Sequence, residues 1–302
     1  MSPLTGIALK LASVVMFIAM SSFAKVAAET MPPGQTVFFR SLFAFPAILI
    51  WLAMRGELSV GLRTDRPLGH LWRGLIGGTA MGLMFMALGL LPLPEVTAIF
   101  YATPIFVTVF AAMFLGERIR VFRVSVILLG LVGVGIVMQP RLTGWSSGDA
   151  WQAIGAMAVF VATIFAALAQ ITVRHLTKTE HVAAIVFYFT ATTTFLSLLT
   201  APFGWVWPTP DLWFVLLAMG LVGGVAQILL TASFRYADAA VIASFEFMSI
   251  IMALVVGYVI FAEIPTTQML IGSALVVVAG LAMAWRERQL QLQRAYGVKL
   301  VK

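Results

Sequence analysis

Cysteine and asparagine are both missing from the 302-residue chain. Without cysteine there is no disulfide framework, no thiol chemistry and no Cys-based metal site. Without asparagine there is no N-glycosylation acceptor. Charge is scarce as well: only 10% of residues are charged, whereas 61% are hydrophobic. That balance excludes a soluble globular domain and reads as an integral membrane protein. The net charge of +7 is no nucleic-acid signature here, because Lys and Arg of a membrane chain gather in cytoplasmic loops. The three histidines, His70, His175 and His181, fall in inward loops without companion acids at ligand spacing, so no metal is expected. With no His in any span and no H-E-x-x-H, G-x-S-x-G or Walker loop, the chain lacks the equipment of an enzyme, and no cofactor is expected.

What is present is a series of apolar runs. A bilayer core needs about 20 apolar residues per helix, and ten segments qualify: 4–28, 35–54, 71–91, 95–114, 121–138, 151–173, 182–203, 212–233, 239–261 and 267–285. Leu11–Ala24 has the length of a signal-peptide core, but Lys10 is the only charge before it, and the repeat described below supplies this segment with a counterpart. It is therefore read as a span. Short connectors leave no room for a soluble domain. With the N-terminus inside, the inward connections hold Arg55, Arg63, Arg66 and Arg73, then Arg118, Arg120 and Arg123, then Arg174 and Lys178, then Arg235. The tail adds Arg286, Arg288, Arg294, Lys299 and Lys302, whereas the outward side holds Arg141 and, near a helix end, Lys25. The positive-inside rule then places both termini in the cytoplasm.

An internal repeat divides the chain. Residues 74–117 align with 220–263 at a constant offset of 146 without a gap, and nine of the 44 positions are identical. "GLIGGTA" (74–80) faces "GLVGGVA" (220–226), and Glu117 faces Glu263. Five spans per repeat is an odd number, so the second half enters the membrane from the opposite side. The expected fold is thus all-α and membrane-integral: ten transmembrane helices as two inverted five-helix repeats, 1–140 and 141–286, followed by a basic tail, 287–302, suited to the anionic leaflet. Inverted halves that rock against one another are the architecture of alternating access.

"TPIFVTVFAAMFLGER" (103–118) and "FRYADAAVIASFEFMSIIMALVVGYVIFAEIPT" (234–266) resemble the ends of the two repeats in EamA-type members of the drug/metabolite transporter superfamily. The resemblance covers essentially the whole chain and implies ATP-independent secondary transport of small organic metabolites, often the export of amino acids or drugs. Two departures stand out: Phe261-Ala262-Glu263 replaces the usual Leu-Gly-Glu, and Ser244 stands where Pro is common.

Polar groups at membrane depth are the candidate site. Glu246, the only charge between Ala239 and Phe261, either binds a substrate ammonium or coupling proton or forms a structural ion pair. Lys10, at similar depth in span one, either pairs with Glu246 or snorkels to the headgroups. Gln227 and Gln170 fall in the inner third, Gln227 as a cavity liner and Gln170 as a cap or pairing group. Arg40 either meets a substrate carboxylate bidentately or snorkels outward. Tyr101 either stacks on a substrate or joins the interfacial aromatic belt. Gly74, Gly77 and Gly78, with Gly220, Gly223 and Gly224, put small residues on one helix face for close packing. Pro104 is expected to kink span four. Glu117 and Glu263 end their helices, with gating as the alternative. A deep acid, a base and aromatics suit an amphipathic zwitterion: an amino acid with a bulky side chain, exported across a bacterial-type inner membrane. The alternatives are a nucleoside-like or flavin-like metabolite, a cationic drug and, more remotely, a structural membrane protein. The partners are then a small molecule and the lipid bilayer, with no protein partner required and a monomer sufficient.

Overall fold

The computed structural model describes residues 3–58, 61–115, 121–143, 150–236 and 248–299. Every regular element among the described residues is a helix: α1 (Pro3–Ala28), α2 (Pro33–Leu42), α3 (Phe45–Met54), α4 (Pro67–Leu88), α5 (Leu93–Phe100), α6 (Thr103–Leu115), α7 (Val121–Thr143), α8 (Ala150–Leu176), α9 (Val182–Leu198), α10 (Pro210–Tyr236), α11 (Met248–Phe261) and α12 (Thr267–Lys299). Among the described residues, seven helical stretches are long and apolar enough to cross a membrane, and the shorter apolar helices Val182–Leu198, Met248–Phe261 and Thr267–Met283 fall on spans seven, nine and ten. Apolar side chains such as Trp151, Val259 and Leu270 face outward, where hydrocarbon rather than water is the solvent. The chain is a multi-pass membrane protein.

Spans two and four are each broken in the middle, and proline is the cause. Pro46 stands at the start of α3, after the interruption at Phe43 and Ala44. Pro104 stands at the start of α6, after Tyr101 and Ala102. Pro104 has no N–H to offer the Phe100 carbonyl, and the Thr103 hydroxyl donates to that oxygen instead at 2.6 Å. The kink expected at Pro104 is therefore present as a two-residue break.

Helix α1 packs against α10 and α4 against α8; α4 also meets α9, as α2 meets α10; α7 lies along α12 and α5 against α11. Replacing each span by the one five places along the chain turns the first of these pairs into the second and the third into the fourth. It leaves the last two unchanged.

Contacts between connections define two rims. The first joins the connection before α4 to the one after α8: Glu180 accepts from the Asp65 N–H at 3.3 Å and pairs with His70 Nε2 at 3.2 Å, and Arg66 Nη1 lies 2.8 Å from His175 Nε2. The second joins the ends of α1, α4, α7, α9 and α11: Lys25 pairs with Glu263 at 2.8 Å, Arg141 with Glu95 at 2.7 Å, and Gln35 donates to the Val206 carbonyl at 2.6 Å.

Two sequence expectations are corrected here. His70 does not lie in a solvated loop: α4 begins at Pro67, and the imidazole is 1% exposed, beside the Tyr188 ring and paired with Glu180. Arg73, counted among the loop charges, is a buried residue of the same helix. The apolar count placed the start of span three at residue 71 because polar first-turn residues interrupt it, although Pro at the start of a helix is favourable. Arg55, Arg63 and Arg66 are exposed as expected.

Burial raises the Glu180 carboxyl, but the His70 ring, the Thr64 hydroxyl and the Asp65 N–H outweigh it and hold the carboxyl below its ordinary value. A depressed carboxylate contributes stability above its unfolded value, about 4.3 for Glu, and loses it as the pH falls through the lower folded value. Thermal melts of the detergent-solubilised protein should therefore drop below about pH 4, and Glu180→Gln should flatten that drop. At the α7–α12 crossing a Cβ on Gly133 would lie 2.8 Å from the Gly272 carbonyl oxygen, and one on Gly272 2.6 Å from that of Gly133. Backbone cannot step aside, so Gly133→Ala should destabilise by roughly 1–3 kcal/mol. Gly135→Ala, which meets nothing within 4 Å, should leave the melting temperature unchanged.

Candidate solute-binding cavity

A cavity of about 240 Å³ lies among α1, α2, α4, α5, α8, α9, α10 and α11, with the span-four break on its wall. It draws on both five-span halves. Its lining is mostly apolar, with the rings of Phe17, Phe85, Phe100 and Phe189 and the thioethers of Met81 and Met84. Set into this surface are Lys10, Arg40, Arg73, Tyr101, Gln170 and Gln227.

Four of the five expected binding residues thus meet in one place. Arg40 is 1% exposed and Lys10 4% exposed, so neither snorkels to a membrane surface. Tyr101 is also buried, not part of an interfacial belt; its hydroxyl lies 2.5 Å from Ser249 Oγ and ties the span-four break to α11. Gln170, expected as a cap or pairing group, lines the cavity as Gln227 does. Glu246 and Glu117 lie outside the described residues.

Arg73 was missed by sequence reasoning. It is 7% exposed, lines the cavity, and holds its guanidinium carbon 4.0 Å from the centroid of Phe189. Arg40 approaches the same ring at 5.9 Å and donates from Nη2 to the Gly223 carbonyl at 3.2 Å. The overlooked signal was spacing: Arg73 lies four residues before Gly77, one helical turn away on the same face.

That spacing gives the glycine triples a second role. Their outer members pack helices: a Cβ on Gly78 would meet Thr193 Cγ2 at 3.0 Å, and one on Gly224 would meet the Ala44 carbonyl oxygen at 3.0 Å. Gly74 faces Thr192 and Gly220 faces Phe43 in the same way. The middle members leave room for charge. A Cβ on Gly77 would overlap Arg73 Nη1, and one on Gly223 would come within 3.0 Å of Arg40 Nε. Equivalent glycines of the two repeats each shelter one buried guanidinium. An arginine at the centre of a spanning helix costs roughly 3 kcal/mol on insertion scales, and among the described residues no carboxylate lines the cavity to offset it.

At the second rim, Glu263 does more than end its helix. Its Oε1 pairs with Lys25, and its Oε2 accepts from the Leu93 N–H at 3.0 Å. Lys25 also donates to the Leu91 carbonyl at 2.9 Å and lies 5.6 Å from the centroid of Phe261. One carboxylate thereby holds together the ends of α1 and α11 and the start of α5. The turn that aims it has Ala262 at φ 52°, with the Glu263 N–H donating to the Gly257 carbonyl at 2.9 Å. This is a left-handed helix cap that favours glycine, and Ala occupies it here.

Gly77→Ala should expel the Arg73 guanidinium from the cavity while leaving α4 intact. Solute exchange in proteoliposomes should fall by about tenfold or more, the worth of hydrogen bonds to a charged group. Gly82→Ala, with nothing within 4 Å, should exchange solute at the wild-type rate.

The model of the EamA-like transporter family matches residues 4–139 and again 153–285. The pseudopaline exporter CntI of Pseudomonas aeruginosa is 31% identical, over 93% of this chain and 96% of that protein. An S-adenosylmethionine uptake transporter of Rickettsia bellii is 26% identical over 84% of each chain. A riboflavin transporter of Rhizobium johnstonii is 29% identical, over 83% of this chain and 80% of that one. A solved crystal structure superposes with a TM-score of 0.69 at 20% identity, covering 94% of this chain and 98% of the other, a likeness of fold. With a twice-matched family model and relatives named as transporters rather than enzymes, the chain belongs to the EamA-like transporter family.

Proposed function

We propose that this transporter works by alternating access as a secondary carrier, exporting an amino-acid-like metabolite with a bulky side chain across a bacterial-type inner membrane. The observation that carries this reading is the buried, cation-bearing cavity built jointly by both five-span halves. The halves are taken as inverted repeats, 1–140 and 141–286, with both termini and the tail 287–302 cytoplasmic and a monomer as the working unit. The exchange of helix pairs between halves supports that arrangement, because two modules related by a two-fold axis in the membrane plane must repeat their contacts in this way.

The cavity approaches the first rim through Lys10, Arg73 and Val173, near the ends of α1, α4 and α8. At the opposite rim the Lys25–Glu263 pair and the Leu93 hydrogen bond draw the helix ends together. In the proposed orientation this is an inward-facing conformation, with Glu263 as the outer latch. Arg40 and Arg73 meet the solute carboxylate, the Phe and Met surface takes its side chain, and Glu246 takes its ammonium or a coupling proton. The same basic lining opposes a cationic drug.

A flavin-like solute is the second reading. It is favoured by the four phenylalanine rings on the cavity wall and by similarity to riboflavin transporters.

Counterflow in proteoliposomes, run with labelled amino acids and with riboflavin, separates the readings. Exchange of bulky amino acids is expected, and exchange of riboflavin alone would favour the second. Glu246→Gln should flatten the pH dependence of exchange. The absence of native cysteine makes accessibility simple to read: a single cysteine replacing Gln227 should react with an aqueous maleimide, whereas one replacing Ala27, packed beside the latch at 0% exposure, should not.

A further inference from the structure

We propose that the solute carries at least two carboxylates, and that Arg40 and Arg73, set against Phe189, form a dianion subsite within the transport cavity. The proposal rests on the transporter reading above and narrows it from amino-acid-like solutes to those with a second acidic group.

The argument starts from unmet hydrogen bonds. Arg40 Nε and Nη1 and Arg73 Nε and Nη1 are all buried and have no hydrogen-bond partner among the described residues. Buried side-chain donors are nearly always satisfied, and four such N–H-bearing nitrogens on two side chains that line one cavity point to an acceptor from outside the protein. A guanidinium presents its donors in a rigid plane suited to carboxylate oxygens, and each side chain keeps two donors unmet.

Charge points the same way. Arg40 and Arg73 repel one another. A zwitterion brings a single carboxylate and an ammonium, so it leaves the charge of this pair unchanged. A dianion offsets it. Both groups approach the Phe189 ring; a cation over an aromatic face is stabilised by the ring quadrupole, which helps to order both side chains.

The two glycines explain how the pair is housed. Gly77 and Gly223, at equivalent positions of the two repeats, leave the volumes that the guanidinium groups fill. One guanidinium belongs to a helix of each contact pair that the halves exchange, α4 with α9 and α10 with α2. Both guanidinium groups stand on the first half, Arg40 on α2 and Arg73 on α4, whereas the Phe189 ring and the Gly223 carbonyl that they touch stand on the second.

Three matched probes test this on the full-length protein in detergent by isothermal titration: phenylsuccinate with two carboxylates, 3-phenylpropanoate with one, and phenylalaninamide with none. Phenylsuccinate should bind about tenfold or more tighter than 3-phenylpropanoate, with no binding of the amide. Arg40→Gln or Arg73→Gln should erase most of that advantage and leave the 3-phenylpropanoate affinity closer to wild type. Arg→Lys, which keeps the charge but not the planar guanidinium, should restore only part of it. The probe comparison is made on the wild-type chain, so it stands even if a variant fails to fold. Equal affinity for the two acids, tighter binding of the amide, or no binding of any probe overturns the dianion subsite. If labelled zwitterionic amino acids still exchange in counterflow, the transporter reading survives that result.

Discussion

A guanidinium removed from water must find compensation within the protein or in what the protein binds, and the centre of this molecule is organised around two of them. Arg40 and Arg73 lie inside the helical bundle with one carbonyl, one aromatic ring and a cavity for company. Hydrocarbon surrounds the bundle, so the desolvation of these groups cannot be relieved by moving a side chain outward. The fold gives them volume instead: a glycine of each repeat is set one Cβ short of each guanidinium.

The remaining architecture holds this arrangement between two rims of different character. At the first, Glu180 gathers His70, Thr64 and Asp65 and joins neighbouring connections. At the second, Glu263 gathers Lys25, the Leu93 N–H and the left-handed cap at Ala262. Each uses a single carboxylate to join helix ends that belong to different halves of the chain. Such contacts are few and local, so breaking one costs little beside the apolar packing. Proline at 46 and 104 interrupts two spans, and at the second the Thr103 hydroxyl takes up the Phe100 carbonyl.

Some of this was legible residue by residue. Lys10, Arg40, Tyr101 and Gln227, which line one cavity, stood out because a polar group inside an apolar run is costly wherever it sits, and that cost is a property of the run alone. Arg73 and His70 escaped for the opposite reason. They stand at the polar start of α4, where hydropathy cannot distinguish a loop charge from a buried one, and only Phe189 and Glu180, more than a hundred residues away in sequence, determine their burial. The glycine triples suggested a packing face, and their outer members lie against neighbouring helices, yet their middle members lie beside charge, because the sequence does not say which neighbour fills the space a glycine leaves.

Membrane residence, the number of apolar segments, the repeat and the scarcity of groups able to do chemistry were all determined by the sequence. Each follows from local composition and from spacing along one chain. The meeting of two arginines at one ring and the engagement of Glu263 with α1 and α5 were decided by tertiary structure alone. These depend on which helix faces which, and hydrophobic periodicity cannot encode that where lipid and protein interior are equally apolar.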